Sequence, residues 1–189
     1  MNRRLDPYDR TSWCKAMKTA RQALLFDWGN TLMRDFPEYH GPMASWPEIA
    51  CLPNARETLA VLHADWVIGL ATNAADSNED QIWAALARGG LEPFVDQVFC
   101  FQALGVRKPE TAYFRAVLKQ LNLSPQVSVM IGDDFENDVN GALRAGLRAV
   151  WLNERSGESR HEPGMTAIHT LAELPEILAR PILLDLRQE

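Results

Sequence analysis

Three apolar runs of strand length, each ending on residues suited to a turn, constrain this chain more than any other feature. Ala23-Leu24-Leu25-Phe26 runs into Asp27-Trp28-Gly29-Asn30, Trp66-Val67-Ile68-Gly69-Leu70-Ala71 into Thr72-Asn73, and Val127-Ser128-Val129-Met130-Ile131 into Gly132-Asp133-Asp134. An uninterrupted apolar run of this length suits a strand buried on both faces. Helical patterns separate the runs, and such alternation predicts a parallel sheet covered by helices on both sides. Polar residues at the carboxyl ends of strands then lie where open α/β sheets bind ligands.

Taken in order, strands are expected at residues 22–28, 66–71, 97–101, 127–131 and 148–152. Helices are expected at 54–64, with Leu59 and Leu62 on the apolar face, and at 77–88, 109–121, 137–145 and 171–179. Ser77-x-x-Asp80 reads as a capping box and Gly89-Gly90 as a stop. Pro109 sits at a tolerated first-turn position, in a helix that would bury Tyr113, Phe114, Val117 and Leu121.

With 189 residues, 47% of them hydrophobic and 23% charged, one soluble globular domain is expected over 21–189. Residues 1–20 read as an N-terminal extension, mobile or loosely docked, without the apolar core of a signal peptide. A net charge of −6 disfavours nucleic acid and anionic membrane as partners. No apolar run approaches the roughly 18 residues of a membrane span. Cys14, Cys51 and Cys100 lack metal-ligand spacing, so a reducing, cytoplasmic setting is the expectation. Composition leaves the oligomeric state open.

The ordered set of Asp27, Thr72-Asn73, Lys108 in Arg107-Lys108-Pro109, and Gly132-Asp133-Asp134-Phe135-Glu136-Asn137-Asp138 resembles the haloacid dehalogenase (HAD) superfamily over roughly residues 22 to 178. The resemblance implies a three-layer Rossmannoid α/β fold with a central parallel sheet, and a Mg²⁺-dependent phosphatase acting on a phosphorylated small molecule or macromolecule. Asp27 would then be the nucleophile, forming and releasing an aspartyl-phosphate. Attack by an anion on a phosphate dianion is opposed electrostatically, which a divalent cation relieves. Asp133 would bind that cation directly and Asp138 through water or an adjacent lysine, with Asp27 and the Gly29 carbonyl completing the set. Thr72 and Asn73 would hold phosphate oxygens. Lys108 would serve both phosphate binding and catalysis by neutralising charge. Asp134 is either a further ligand or the cap of the following helix.

Family caps insert after the first motif or between the second and third. The gap at about 33–52 contains Pro37, Pro42, Pro47 and Gly41, which disfavour a helical cap. A nearly capless protein with a minimal loop over the site is expected. Trp28 and Trp46 are the tryptophans that would line a substrate surface; Trp13, Trp66, Trp83 and Trp151 read as core or loop aromatics, and His63, His161 and His169 as structural or exposed.

One position departs from the family. Its phosphatases carry an acid two residues after the nucleophile, to protonate the departing oxygen and activate water; here that residue is Gly29. Three consequences are open: slow turnover restricted to good leaving groups, substitution by Asp35, Glu38 or His40, or a catalytically silent phosphate- or partner-binding module. Dehalogenases lack such an acidic cluster, and phosphonatases need a cap lysine where none occurs between Met33 and Asn73.

Overall fold

The computed structural model describes residues 22–154, 158, 160 and 162–179. The N-terminal extension, with Trp13 and Cys14, and His161 lie outside the described residues. Six parallel strands form one sheet: β1 (Ala23–Phe26), β2 (Val67–Thr72), β3 (Gln97–Cys100), β4 (Ser128–Gly132), β5 (Arg148–Leu152) and β6 (Met165–Ile168), in the order β3-β2-β1-β4-β5-β6. Phe26 pairs with Leu70 on one side and Ile131 on the other. The strand order reverses at β1 and β4, so the crevice beyond their carboxyl ends is the switch point where such sheets bind ligands.

Alternation along each strand feeds two cores. Leu24, Phe26, Ile68, Leu70, Val129 and Ile131 pack on one face against α1 (Ala55–Leu62), α2 (Glu79–Gly89) and α6 (Leu174–Ala179). Leu25, Ala71, Phe99, Met130 and Ala149 pack on the other against α4 (Thr111–Leu121) and α5 (Gly141–Arg144). A short helix, α3 (Phe101–Leu104), follows β3 directly. This is the expected three-layer α/β architecture.

Several local expectations are corrected. The α2 cap is Asn78, not Ser77: Gln81 N donates to Asn78 Oδ1 and Asn78 N to Gln81 Oε1, both at 2.9 Å. Pro109 lies outside the helix, which starts at Thr111 after a cis Lys108–Pro109 bond. The segment after β4 enters helical winding at Phe135 rather than Asn137, and Phe135–Asn140 is π-helical before it tightens into α5. Strand β6 was not expected; it is an edge strand with only Ile168 buried. A 3₁₀ turn at Leu171–Glu173 precedes α6.

The stretch between β1 and α1 carries no helical cap, only a 3₁₀ turn at Met43–Ser45. It is braced to the body. Arg34 forms a two-pronged ion pair with Glu154 (2.6 and 2.9 Å), and within the stretch itself Arg34 N donates to Ala50 O. Arg88 Nη1 donates to Ala44 O at 2.7 Å. Phe36, Tyr39 and Trp46 interlock with ring centroids 5.5 to 6.3 Å apart.

Candidate active site

A cleft of about 590 Å³ opens at the switch point, lined by Asp27, Trp28, Gly29, Thr72, Asn73, Lys108, Asp133 and Asp138 among others. The sheet therefore brings together every residue singled out for the site. Trp28 and Trp46 also line it, although little of either ring is exposed.

Lys108 is the electrostatic centre. Its ammonium lies 2.6 Å from Asp27 Oδ1 and 2.6 Å from Asp138 Oδ1, with 2% of the side chain exposed. Burial opposes the charge, but the Asp138 and Asp27 carboxylates outweigh it and hold Lys108 above the usual lysine range. Burial foremost, and then the Asp27 charge, push the Asp138 carboxyl upward against the pull of Lys108. Asp138 has both oxygens engaged, the second accepting from Asp134 N at 3.1 Å. Its carboxylate rests on Gly132, where any Cβ would overlap it. The glycine before Asp133 is thus a requirement of space.

Asp133 is held by a residue the sequence analysis did not single out. The Thr31 hydroxyl, fully buried, accepts from Asp133 N and donates to Asp133 Oδ1, both at 3.2 Å. Trp151 Nε1 donates to Asp133 O at 3.0 Å. Burial and the Asp27 charge raise the Asp133 carboxyl to about 6.

Asp27, Asp133 and Asp138 each offer a carboxylate oxygen within 4.8 Å of the other two. Three acids with a single lysine leave excess negative charge, and an all-oxygen donor set suits a hard divalent cation such as Mg²⁺. Asp134 takes the capping alternative: its Oδ1 accepts from Glu136 N and Asn137 N, and its Oδ2 from Asn137 Nδ2.

Thr72 Oγ1 accepts from Ala74 N at 3.1 Å, which leaves its own proton to donate. Asn73 has a further use: Lys108 N donates to its Oδ1 at 2.8 Å, and its Nδ2 donates to Lys108 O at 2.9 Å. The Asn73 side chain therefore positions Lys108, and Asn73, Ala74 and Ala75 line the cleft. Of the three side chains that could replace an acid at Gly29, Asp35 lines the cleft, whereas Glu38 and His40 are not among its lining residues. His63 pairs with Asp96 (3.5 Å) and His169 with Asn153 O (2.9 Å), both outside the cleft lining.

Comparison with known proteins places this arrangement among relatives. The family model described as haloacid dehalogenase-like hydrolase matches residues 29–146. Glyceraldehyde 3-phosphate phosphatase of Pyrococcus furiosus is 31% identical over 129 residues, covering 67% of this chain and 52% of that protein. Ribulose-1,5-bisphosphate 5-phosphatase of Halopiger xanaduensis is 31% identical over 142 residues, covering 70% and 58%. The chain thus spans about half the length of the curated relatives it matches. An uncharacterized protein from Listeria monocytogenes superposes with a TM-score of 0.74 at 28% identity, over 83% of this chain and 96% of that one.

Proposed function

The chain belongs to the haloacid dehalogenase-like hydrolases, and from that premise we propose that it is a Mg²⁺-dependent phosphatase working through an aspartyl-phosphate on Asp27. The observation that carries the proposal is Lys108 clamped between Asp27 and Asp138, with Asp133 within ligand reach of both acids. A lysine buried among carboxylates at a strand tip neutralises charge where an anionic group must enter.

Asp27 and Asp133, with the Gly29 carbonyl and Asp138 through water, would hold the cation. Bound there, Mg²⁺ supplies the positive charge that lets one anion approach another. The remaining work falls to the chain itself. Lys108 orients the Asp27 carboxylate and screens the incoming phosphoryl group. The Thr72 hydroxyl and the backbone N–H groups after β2 hold phosphate oxygens. Asp27 attacks phosphorus, the ester oxygen departs, and water then releases inorganic phosphate. The related phosphatases from Pyrococcus and Halopiger support a phosphorylated small molecule as substrate, and residues 21–189 would form the one catalytic unit.

Beryllofluoride, which mimics a phosphorylated aspartate, tests this reading. In the presence of Mg²⁺ it should quench or shift the fluorescence of Trp28 and Trp46, and Asp27→Asn should abolish the response. Absence of any Mg²⁺-dependent response in the wild-type chain sinks the proposal.

A further inference from the structure

The geometry points to Asp35 as the general acid and base of this site, a catalytic residue delivered from the loop in place of a side chain at Gly29. The inference rests on the phosphatase reading above and adds to it the group that handles the leaving-group proton.

A side chain at Gly29 would meet no clash, and the atoms nearest to it belong to Asp35. A Cβ built on Gly29 would lie 3.6 Å from Asp35 Cβ, 3.8 Å from its Cγ and 3.9 Å from its Oδ2. The Asp35 carboxylate therefore stands beside the volume that a longer side chain at 29 would enter, on the lining of the same cleft as Asp27. Two more observations suit it to the role. Its carboxylate makes no hydrogen bond or ion pair among the described residues, whereas Asp134 is committed to capping and Asp76 accepts from Ser77 Oγ at 3.2 Å. Its backbone, by contrast, is fixed: Asp35 N donates to Asn30 Oδ1 at 3.3 Å, and the neighbouring Arg34 is tied to Glu154 and Ala50. A free carboxyl on a held backbone is what proton transfer at a defined point needs.

The chemistry balances. As Asp27 forms its bond to phosphorus, the bond from phosphorus to the ester oxygen breaks, and that oxygen leaves with the electron pair and takes the Asp35 proton. The Asp35 carboxylate next takes a proton from water, whose oxygen attacks the phosphorus of the aspartyl-phosphate. Inorganic phosphate departs, and both carboxyl groups return to their starting states.

Asp35→Asn tests the assignment with an alkyl phosphate and p-nitrophenyl phosphate in parallel, reading the phospho-adduct on Asp27 by mass spectrometry of the quenched protein. An alkyl leaving group needs the proton, so alkyl turnover should fall by about 10²–10⁴-fold. Nitrophenolate leaves without a proton, so the variant should give a burst and then stall with the Asp27 adduct accumulated. Adding Gly29→Asp to the Asp35→Asn variant should restore alkyl turnover, because the space at 29 accepts a side chain. Unchanged alkyl turnover in Asp35→Asn, or equal loss of both substrates without adduct, overturns the role of Asp35. A wild-type chain that forms no adduct from either substrate and ignores beryllofluoride overturns the phosphatase reading itself.

Discussion

The Thr31 hydroxyl links the turn after β1 to Asp133, meeting both the N–H and the Oδ1 of that residue at 3.2 Å. It fixes the spacing of two strand tips through a group with no expected role in the chemistry. Thr31→Val removes the hydroxyl at nearly constant volume and leaves a part-buried donor and acceptor unpaired, at a cost of about 1–3 kcal/mol. Mg²⁺ affinity by titration calorimetry should fall together with the midpoint of urea unfolding, and Thr31→Ser should recover most of both. Unchanged affinity in Thr31→Val would show that Asp133 is aimed by other contacts.

Lys108→Met should be more damaging. It leaves Asp138, with 1% of its side chain exposed, buried without its cation. Removing one partner of such a pair typically costs about 3–5 kcal/mol. Chemical denaturation in EDTA measures this without interference from bound metal, and a variant as stable as the wild type would contradict the clamp.

Acidification should weaken the metal site before it harms the fold. The Asp133 carboxyl, raised from 3.8 to about 6, binds a proton more tightly in the metal-free folded protein than in the unfolded chain. Its contribution to metal-free stability is therefore full below the unfolded value and lost as pH rises through about 6. A cation needs the ionised form and competes with that proton. The rise in melting temperature caused by Mg²⁺ should be large at about pH 8 and shrink towards about pH 5. An increment independent of pH across that window would remove Asp133 from the ligand set.

Gly132→Ala probes space rather than charge. The new methyl would collide with the Asp138 carboxylate, so either the strand end or Asp138 must move. The expected cost is about 1–3 kcal/mol in stability, with loss of the beryllofluoride response. A fully responsive variant would show that Asp138 has another position open to it.

The sheet was legible because a buried strand announces itself as an apolar run, and the acids at its tips because they recur in order with Thr72-Asn73 and Lys108. β6 escaped notice because an edge strand with one buried residue has no such run. The shift of the α2 cap from Ser77 to Asn78 reflects two residues of similar capping chemistry side by side, with Gln81 deciding between them. Thr31 and Asn73 were legible as residues but not as roles. Their partners lie far along the chain, and only the folded crevice makes Thr31 the neighbour of Asp133 or turns the Asn73 amide onto Lys108. Sequence left three substitutes for the acid at Gly29 on equal terms; the course of the loop separates Asp35 from Glu38 and His40.

The anchoring of residues 34 to 46 by Glu154 and α2 bears on how molecules would come and go. A covering stapled at several points has little room to swing, so under the proposed phosphatase reading an incoming ester would meet the same doorway through which phosphate would later escape. Selection would then depend on the outline of a standing aperture.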